Sequence, residues 1–318
     1  MLDSFKPLLR SAKLRVIRAR AERLARRPAP KGGGALTPPA FIVGCGRSGT
    51  SILGVALREH PAVWYLREPY HLWANVDRRL DVTNLHYRGK ARLFMDAADA
   101  TPESQERFNR LILGARLRAG RPALIEKTPH NVYRIGLIEA FTGGAARWVH
   151  IVRDGVDVAR SIHRLATTQP YRMAGHADYN QWWGRDHLKW RRLAEEGPPR
   201  GYFPDEVARL ATDAQKGAYE WLTSLGEADR WRAVLADRLL EITYPQLTAD
   251  PEGTLRLIAV HVGTEAPAPW LDAASTMISA ERRNEGTPLL LPPAMASRFN
   301  ELQARYGFPG RARTEERA

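Results

Sequence analysis

The run from Ala40 to Gly54 constrains this chain more than any other stretch. Phe41, Ile42 and Val43 are a short apolar, β-favouring segment, and Ile52 to Leu57 supplies apolar residues at helical spacing. Between them Gly44, Gly46 and Gly49 permit a tight turn. A strand that turns directly into a helix presents exposed backbone N–H groups at the helix start. With the positive end of the helix dipole and the hydroxyls of Ser48, Thr50 and Ser51, those groups form an anion cradle. A phosphorylated ligand is the first expectation.

Gly44 and Gly49 have the spacing of the nucleotide-triphosphate loop, whose pattern continues with Lys and then Ser or Thr. Here Thr50 stands where that lysine would be, while Arg47 supplies one positive charge inside the loop. An ATPase or kinase reading is weakened, and the bound group need not be a triphosphate.

The net charge of +13 raises nucleic acid as a partner, so its distribution matters. Residues 1–34 carry ten Lys or Arg against Asp3 and Glu22, which leaves +5 for the remaining 284 residues. Leu2, Phe5, Leu9, Ala12 and Val16 recur at spacings of three and four among Arg10, Lys13, Arg20 and Arg27, a basic amphipathic helix. That pattern suits an anionic membrane surface, a solvated arm or a helix docked on its own domain. Pro28 to Pro39 reads as a linker, giving an arm and linker over 1–39 and one globular domain over 40–318. No apolar run approaches the roughly 18 to 20 residues that span a bilayer, and no apolar signal segment follows Met1. The single Cys45 allows no intrachain disulfide. A cytoplasmic protein, at most peripheral at a membrane, is expected. With seven lysines against 41 arginines, a lysine in an apolar context is informative, Lys127 above all.

Further strands are expected over Ala62–Leu66, Pro122–Glu126, Ala145–Val152 and Arg238–Tyr244. Helices are expected from near Pro102 with Phe108, Leu111, Ile112 and Ala115 on one face, from Thr128 as N-cap to Phe141, and over 155–165, 205–225, 251–262 and 293–306. The alternation argues for an α/β fold, P-loop-like, with a mostly parallel central sheet of about five strands and helices on both faces. Ligands of such sheets bind outside the carboxyl ends of the strands, where residues 44–50, Glu68, Lys127 and Arg153 all fall. Residues 166–204 break the pattern and concentrate Tyr171, Tyr179, Trp182, Trp183 and Trp190, which reads as an acceptor-side insertion or as aromatic packing.

Asp154, Asp157, Val158 and Ser161 share a helical face, so a strand-end Arg153 and a helix Ser161 can hold one anion. Arg153-x7-Ser161, about a hundred residues beyond a glycine loop carrying Arg47, resembles the sulfotransferases that use 3′-phosphoadenosine-5′-phosphosulfate, over roughly residues 40–265. The resemblance implies that Gly46, Arg47, Ser48, Gly49, Thr50 and Ser51 hold the 5′-phosphosulfate and that Arg153 and Ser161 hold the 3′-phosphate. The motif style is most similar to the tyrosylprotein and bacterial trehalose sulfotransferases, with Arg-Ser-Gly-Thr in the loop and Glu-Pro after the second strand. It implies Glu68 as catalytic base, Lys127 as the group that polarises the transferring sulfuryl with Arg47, and Tyr244 beside the nucleotide. Pro245-Gln246 replaces the acidic pair usual after that tyrosine. No metal is expected, since cations can take its place at the bridging oxygen. The rival base is His130, three residues after Lys127 where soluble small-molecule sulfotransferases have a histidine at two; its ordinary reading is a first-turn residue facing solvent. The acceptor expected is a carbohydrate, lipid or other small-molecule hydroxyl, and nucleic acid is not expected. Two other classes compete: a P-loop kinase, with Val149 to Asp154 as its magnesium-binding strand, and a non-catalytic basic nucleic-acid binder.

Overall fold

The computed structural model of the protein describes residues 2–28, 36–89, 91–169, 177–279 and 286–315, with side chains from residue 8 onward. Its frame is a five-stranded parallel sheet of β1 (Ala40–Val43), β2 (Val63–Arg67), β3 (Ala123–Lys127), β4 (Arg147–Val152) and β7 (Leu239–Thr243), ordered β2-β3-β1-β4-β7. The two-residue strands β5 (Tyr179–Asn180) and β6 (Gly184–Arg185) form an antiparallel ribbon, and β8 (Leu289–Leu291) pairs with β9 (Ala312–Thr314). β1 lies between β3 and β4, so the loop that follows it leaves the sheet where the strand order reverses, the usual position for a ligand crevice.

The side-chain period of two explains why both faces of the sheet are covered. Phe41 and Val43 of β1, with Trp148 and Val152 of β4, pack in one core with Val158 and Ile162 of α4 (Gly155–Thr168) and Trp221 of α5 (Asp213–Leu235). Ala40, Ile42, Val149 and Ile151 point the other way, into a core with Leu53 and Leu57 of α2 (Thr50–Arg58) and with Leu255 and Ile258 of the helix Pro251–His261. The α/β fold with helices on both faces of about five parallel strands is therefore the observed one.

α1 (Leu2–Ala25) is tied to the domain at its C-terminal half. Ala21 is buried in the main core, Arg18 Nη1 donates to the carbonyl of His86 at 3.0 Å, the Tyr87 hydroxyl donates to Glu22 at 2.8 Å, and Arg110 Nη1 donates to the carbonyl of Ala25 at 2.8 Å. Leu8, Leu9 and Val16 remain exposed. No helix among the described residues is long and apolar enough to cross a membrane.

Three local expectations are corrected. The helix expected over 205–225 is a single turn at Val207–Arg209 followed by α5, which starts behind Thr212 because Thr212 and Gln215 cap each other's backbone N–H at 3.2 and 2.9 Å. Thr128 does not cap a helix: its hydroxyl donates to Glu126, and a 3₁₀ segment, Pro129–Arg134, precedes the α-helix Ile135–Thr142. Tyr244 lies one residue past β7 and opens the helix Tyr244–Ala249, capped by Thr243 Oγ1 accepting from Gln246 N at 3.2 Å.

Candidate active site

The loop after β1 closes around its own glycines. A Cβ on Gly46 would lie 2.3 Å from the Trp182 ring, and one on Gly49, at φ +99°, would lie 2.3 Å from the Tyr244 ring. The loop is glycine-rich at these points because two aromatic rings press on its backbone. Arg47 is held at φ +73°, a conformation that costs a non-glycine residue about 1–3 kcal/mol. From there its Nε donates to Ser161 Oγ at 3.1 Å, joining the loop to α4. Ser48 is buried, and its hydroxyl has no hydrogen-bond partner among the described residues. A buried polar atom left unpaired costs about 1–3 kcal/mol, so an anion bound in the loop would satisfy what the protein leaves open.

The loop after β4 supplies the other half of the anion region. The Arg153 guanidinium sits 4.6 Å above the Tyr244 ring and pairs with Asp157 at 3.3 Å. Tyr244 thus touches both the glycine loop and Arg153, and Arg47 reaches α4 at Ser161. Asp154 is spent on structure: it accepts from Val156 N and Asp157 N at 2.8 and 3.2 Å and from Gly310 N at 2.9 Å. A carboxylate so engaged does not serve as the magnesium ligand that a kinase needs, and among the described residues no group of three or more His, Cys, Asp or Glu is placed to hold a metal ion.

The opposite wall comes from the ends of β2 and β3. Glu68 follows β2 at φ +45°, a second strained non-glycine residue at the cleft, and its N–H donates to the carbonyl of Lys127 at 2.8 Å, extending the ladder by one step. Its carboxylate pairs with the fully buried Lys127 ammonium, which also donates to Ser51 Oγ at 3.3 Å. Lys127 therefore bridges the loop and Glu68. Burial lowers its pKa, and the adjacent Glu68 carboxylate opposes that shift. The Tyr70 hydroxyl lies 3.4 Å from the other Glu68 oxygen. Loop and wall enclose a cleft of about 280 Å³.

A family model described as Sulfotransferase family matches residues 38–211, more than half of the chain. The chain belongs to the sulfotransferase family. Two solved structures agree on the fold. The sulfotransferase domain from the curacin biosynthetic pathway is 15% identical over 87% of this chain and 100% of that chain, with a TM-score of 0.52. Sulfotransferase STF9 from Mycobacterium avium is 14% identical over 98% of this chain and 86% of its own, with a TM-score of 0.50. The mouse sulfotransferase SULT7A1, solved complexed with PAP, is 12% identical over 80% of this chain and 68% of that chain, with a TM-score of 0.42. Comparison with curated proteins finds no match.

In this sulfotransferase the matched span holds the loop, Glu68, Lys127, Arg153 and Ser161, whereas Tyr244 joins the site from beyond it. His130 does not face solvent as a first-turn residue would. It is buried, stacks on Tyr70 at 5.5 Å between ring centroids, lines the cleft, and is held neutral by burial, with the Arg134 and Lys189 charges adding to that effect. The aromatic insertion divides in two. Trp183 is fully buried and packs edge-on against Trp190 at 5.8 Å, while Trp182 and Tyr179 line the cleft. Trp182 Nε1 donates to Glu220 at 2.9 Å, and Lys189, paired with Glu220 at 2.7 Å, stands 4.0 Å over the Trp182 ring. Tyr171 lies outside the described residues.

Sequence reasoning passed over Glu126, the residue before Lys127. It is fully buried and accepts from Trp73 Nε1 and Asn131 Nδ2 at 3.0 Å each, and from Thr128 Oγ1. Burial pushes its carboxyl up to about 7 despite those donors. Its place between Lys127 and the segment carrying His130 makes it the anchor of that wall. An acidic residue at an otherwise apolar strand position was the available signal.

Proposed function

We propose that this sulfotransferase moves a sulfuryl group from 3′-phosphoadenosine-5′-phosphosulfate to a hydroxyl of a carbohydrate, lipid or other small molecule. The observation that carries the reading is Arg47 spanning from the loop to Ser161, with the Lys127–Glu68 pair facing the same loop across the cleft. In this assignment Gly46, Arg47, Ser48, Gly49, Thr50 and Ser51 hold the 5′-phosphosulfate, and Arg153 and Ser161, backed by Tyr244, hold the 3′-phosphate. The donor supplies a sulfuryl group on a phosphate leaving group. Glu68 takes the proton of the acceptor hydroxyl as its oxygen bonds to sulfur. Lys127, already in contact with the loop through Ser51, stabilises the charge that gathers on the phosphate oxygen as the sulfur–oxygen bond breaks and the electron pair passes to it. Arg47 adds a second cation on the loop side. These cations do there what a metal would otherwise do.

The acceptor side favours polar recognition near the reacting atoms, through Glu68, Tyr70, His130 and Lys189. A Lys189 ammonium over the Trp182 ring and the loop backbone against its edge restrict stacking there. We place the enzyme in the cytoplasm, with peripheral membrane contact through α1.

Binding of 3′,5′-adenosine bisphosphate tests the donor. It should raise the melting temperature by mass action, corresponding to about 2.7 kcal/mol at a ligand concentration of about 100 times the Kd, and ATP should do less. Arg153→Ala or Ser161→Ala should shrink that shift, and unchanged affinity in both variants would remove the 3′-phosphate assignment. Turnover of ATP with magnesium, with no phosphosulfate donor consumed, would replace the whole reading by a kinase.

A further inference from the structure

A second cavity lies away from the cleft, between α1 and the outer edge of the sheet, with a volume of about 550 Å³. Its floor is Trp64 and Leu66, two alternate residues of the edge strand β2, with Leu72 of α3 (Tyr70–Val76) beside them and Ile17 and Leu24 of α1 above. Trp64 is 39% exposed there, a large apolar surface that the fold leaves uncovered. The rim has the opposite character. Arg20, Arg118 and Arg121 stand around it, and none of the three has an acidic partner among the described residues. Arg20 and Arg118 are close enough for the charge of one to depress the pKa of the other, in addition to burial. His71, at the same cavity, is kept neutral by burial, with its pKa lowered to about 4. An apolar floor under a rim of like charges matches a ligand with a hydrocarbon chain and an anionic head.

α1 indicates where that ligand resides. At 100° per residue, Leu9, Lys13, Val16 and Arg20 fall on one strip of the helix, next to the strip that carries Ile17 and Leu24 into the cavity. Leu9 and Val16 are 68% and 65% exposed. Exposed aliphatic residues interleaved with basic ones, on a helix flanking the cavity, present an interfacial surface. We propose that the groove beside α1 takes one acyl chain of an anionic bilayer lipid, seating the enzyme on a membrane with Arg20, Arg118 and Arg121 at the headgroups. β2 and α3 then connect membrane and chemistry: Trp64, Leu66 and His71 face the groove, whereas Arg67, Glu68 and Tyr70 line the cleft. The proposal is independent of the donor and acceptor assignments.

Full-length protein is mixed with vesicles of phosphatidylglycerol and phosphatidylcholine, or of phosphatidylcholine alone, and sedimented. Binding should be at least tenfold stronger to the anionic vesicles. The pair Arg20→Glu and Arg121→Glu, both at exposed and unpaired positions, should weaken it by about 30-fold or more, the worth of two basic residues at such a surface. Lipid brominated along its chain should quench the fluorescence difference between the wild type and Trp64→Phe. Equal binding to neutral vesicles, or no vesicle binding, overturns the proposal. Anionic binding with Trp64 unquenched overturns it too, in favour of surface charge on α1 alone. Quenching by soluble brominated fatty acid without vesicle binding overturns the membrane in favour of a free amphiphile.

Discussion

Glu68 and Lys127 sit at the ends of adjacent strands and neutralise each other before any ligand arrives, so each variant reports on both. Glu68→Gln keeps an oxygen that can accept from the buried ammonium, and the fold and donor binding should survive. Sulfuryl transfer should fall by about two to four orders of magnitude, the usual range for a lost general base. Near-normal turnover would instead assign the proton to His130, whose neutral ring lines the same cleft. Lys127→Ala should slow transfer about 100-fold if the ammonium acts on charge that develops only in the transition state. A change in KM alone would make it a binding residue. Glu126 makes a prediction about pH. Its folded pKa of about 7 lies above the ordinary glutamate value of 4.5, so the folded state holds a proton that the unfolded state releases. Stability should therefore fall as pH rises from about 4.5 to 7, by up to about 3 kcal/mol. Glu126→Gln removes that slope, and Asn131, whose Oδ1 has no partner among the described residues, can turn its amide to receive the new N–H. Urea melts from pH 5 to 8 should show a flatter profile in the variant; parallel profiles would mean that Glu126 does not titrate there.

At the scale of elements, the five strands and the strand, loop and helix from 40 to 58 were legible because each couples an apolar run to a punctuating glycine or proline. The loop–helix turn after β1 and the strand-end positions of Glu68 and Lys127 followed from that alternation. Other features lay outside the range of local pattern. The Thr212 to Gln215 capping box is a clear local signal that the expected start at 205 does not use. The burial of His130, the wedge of Tyr244 against Gly49 and the role of Glu126 are set by contacts between segments distant in sequence, which spacing does not encode. Gly46 tests that kind of contact. In Gly46→Ala the new methyl group meets Trp182, which Glu220 and Lys189 hold in place, so overpacking should cost about 1–3 kcal/mol and weaken 3′,5′-adenosine bisphosphate binding. Adding Trp182→Leu should restore much of the stability in a thermal melt. No recovery would show that the cost does not come from the Trp182 ring.

For the whole molecule, the charge asymmetry that marked residues 1–34 as a separable tail does not coincide with a structural boundary. The basic helix α1 has a C-terminal half built into the domain, with Ala21 in the core and with Arg18, Glu22 and Ala25 bonded to the body, while Leu8 and Leu9 in its N-terminal half are exposed. Two truncations separate these halves. Removing residues 1–12 takes away exposed Leu8 and Leu9 and two of the tail's ten basic residues, Lys6 and Arg10, and should lower the melting temperature less than the longer truncation does. Removing residues 1–27 strips the burial of Ala21 and Leu24 and three hydrogen bonds at about 1 kcal/mol each. It should destabilise the domain by about 3–5 kcal/mol, a shift of several degrees, while also lowering any association with polyanions. A melting temperature unaltered by the longer truncation would mean that the helix is a solvated arm after all, and that its contacts with His86, Tyr87 and Arg110 contribute nothing to the fold.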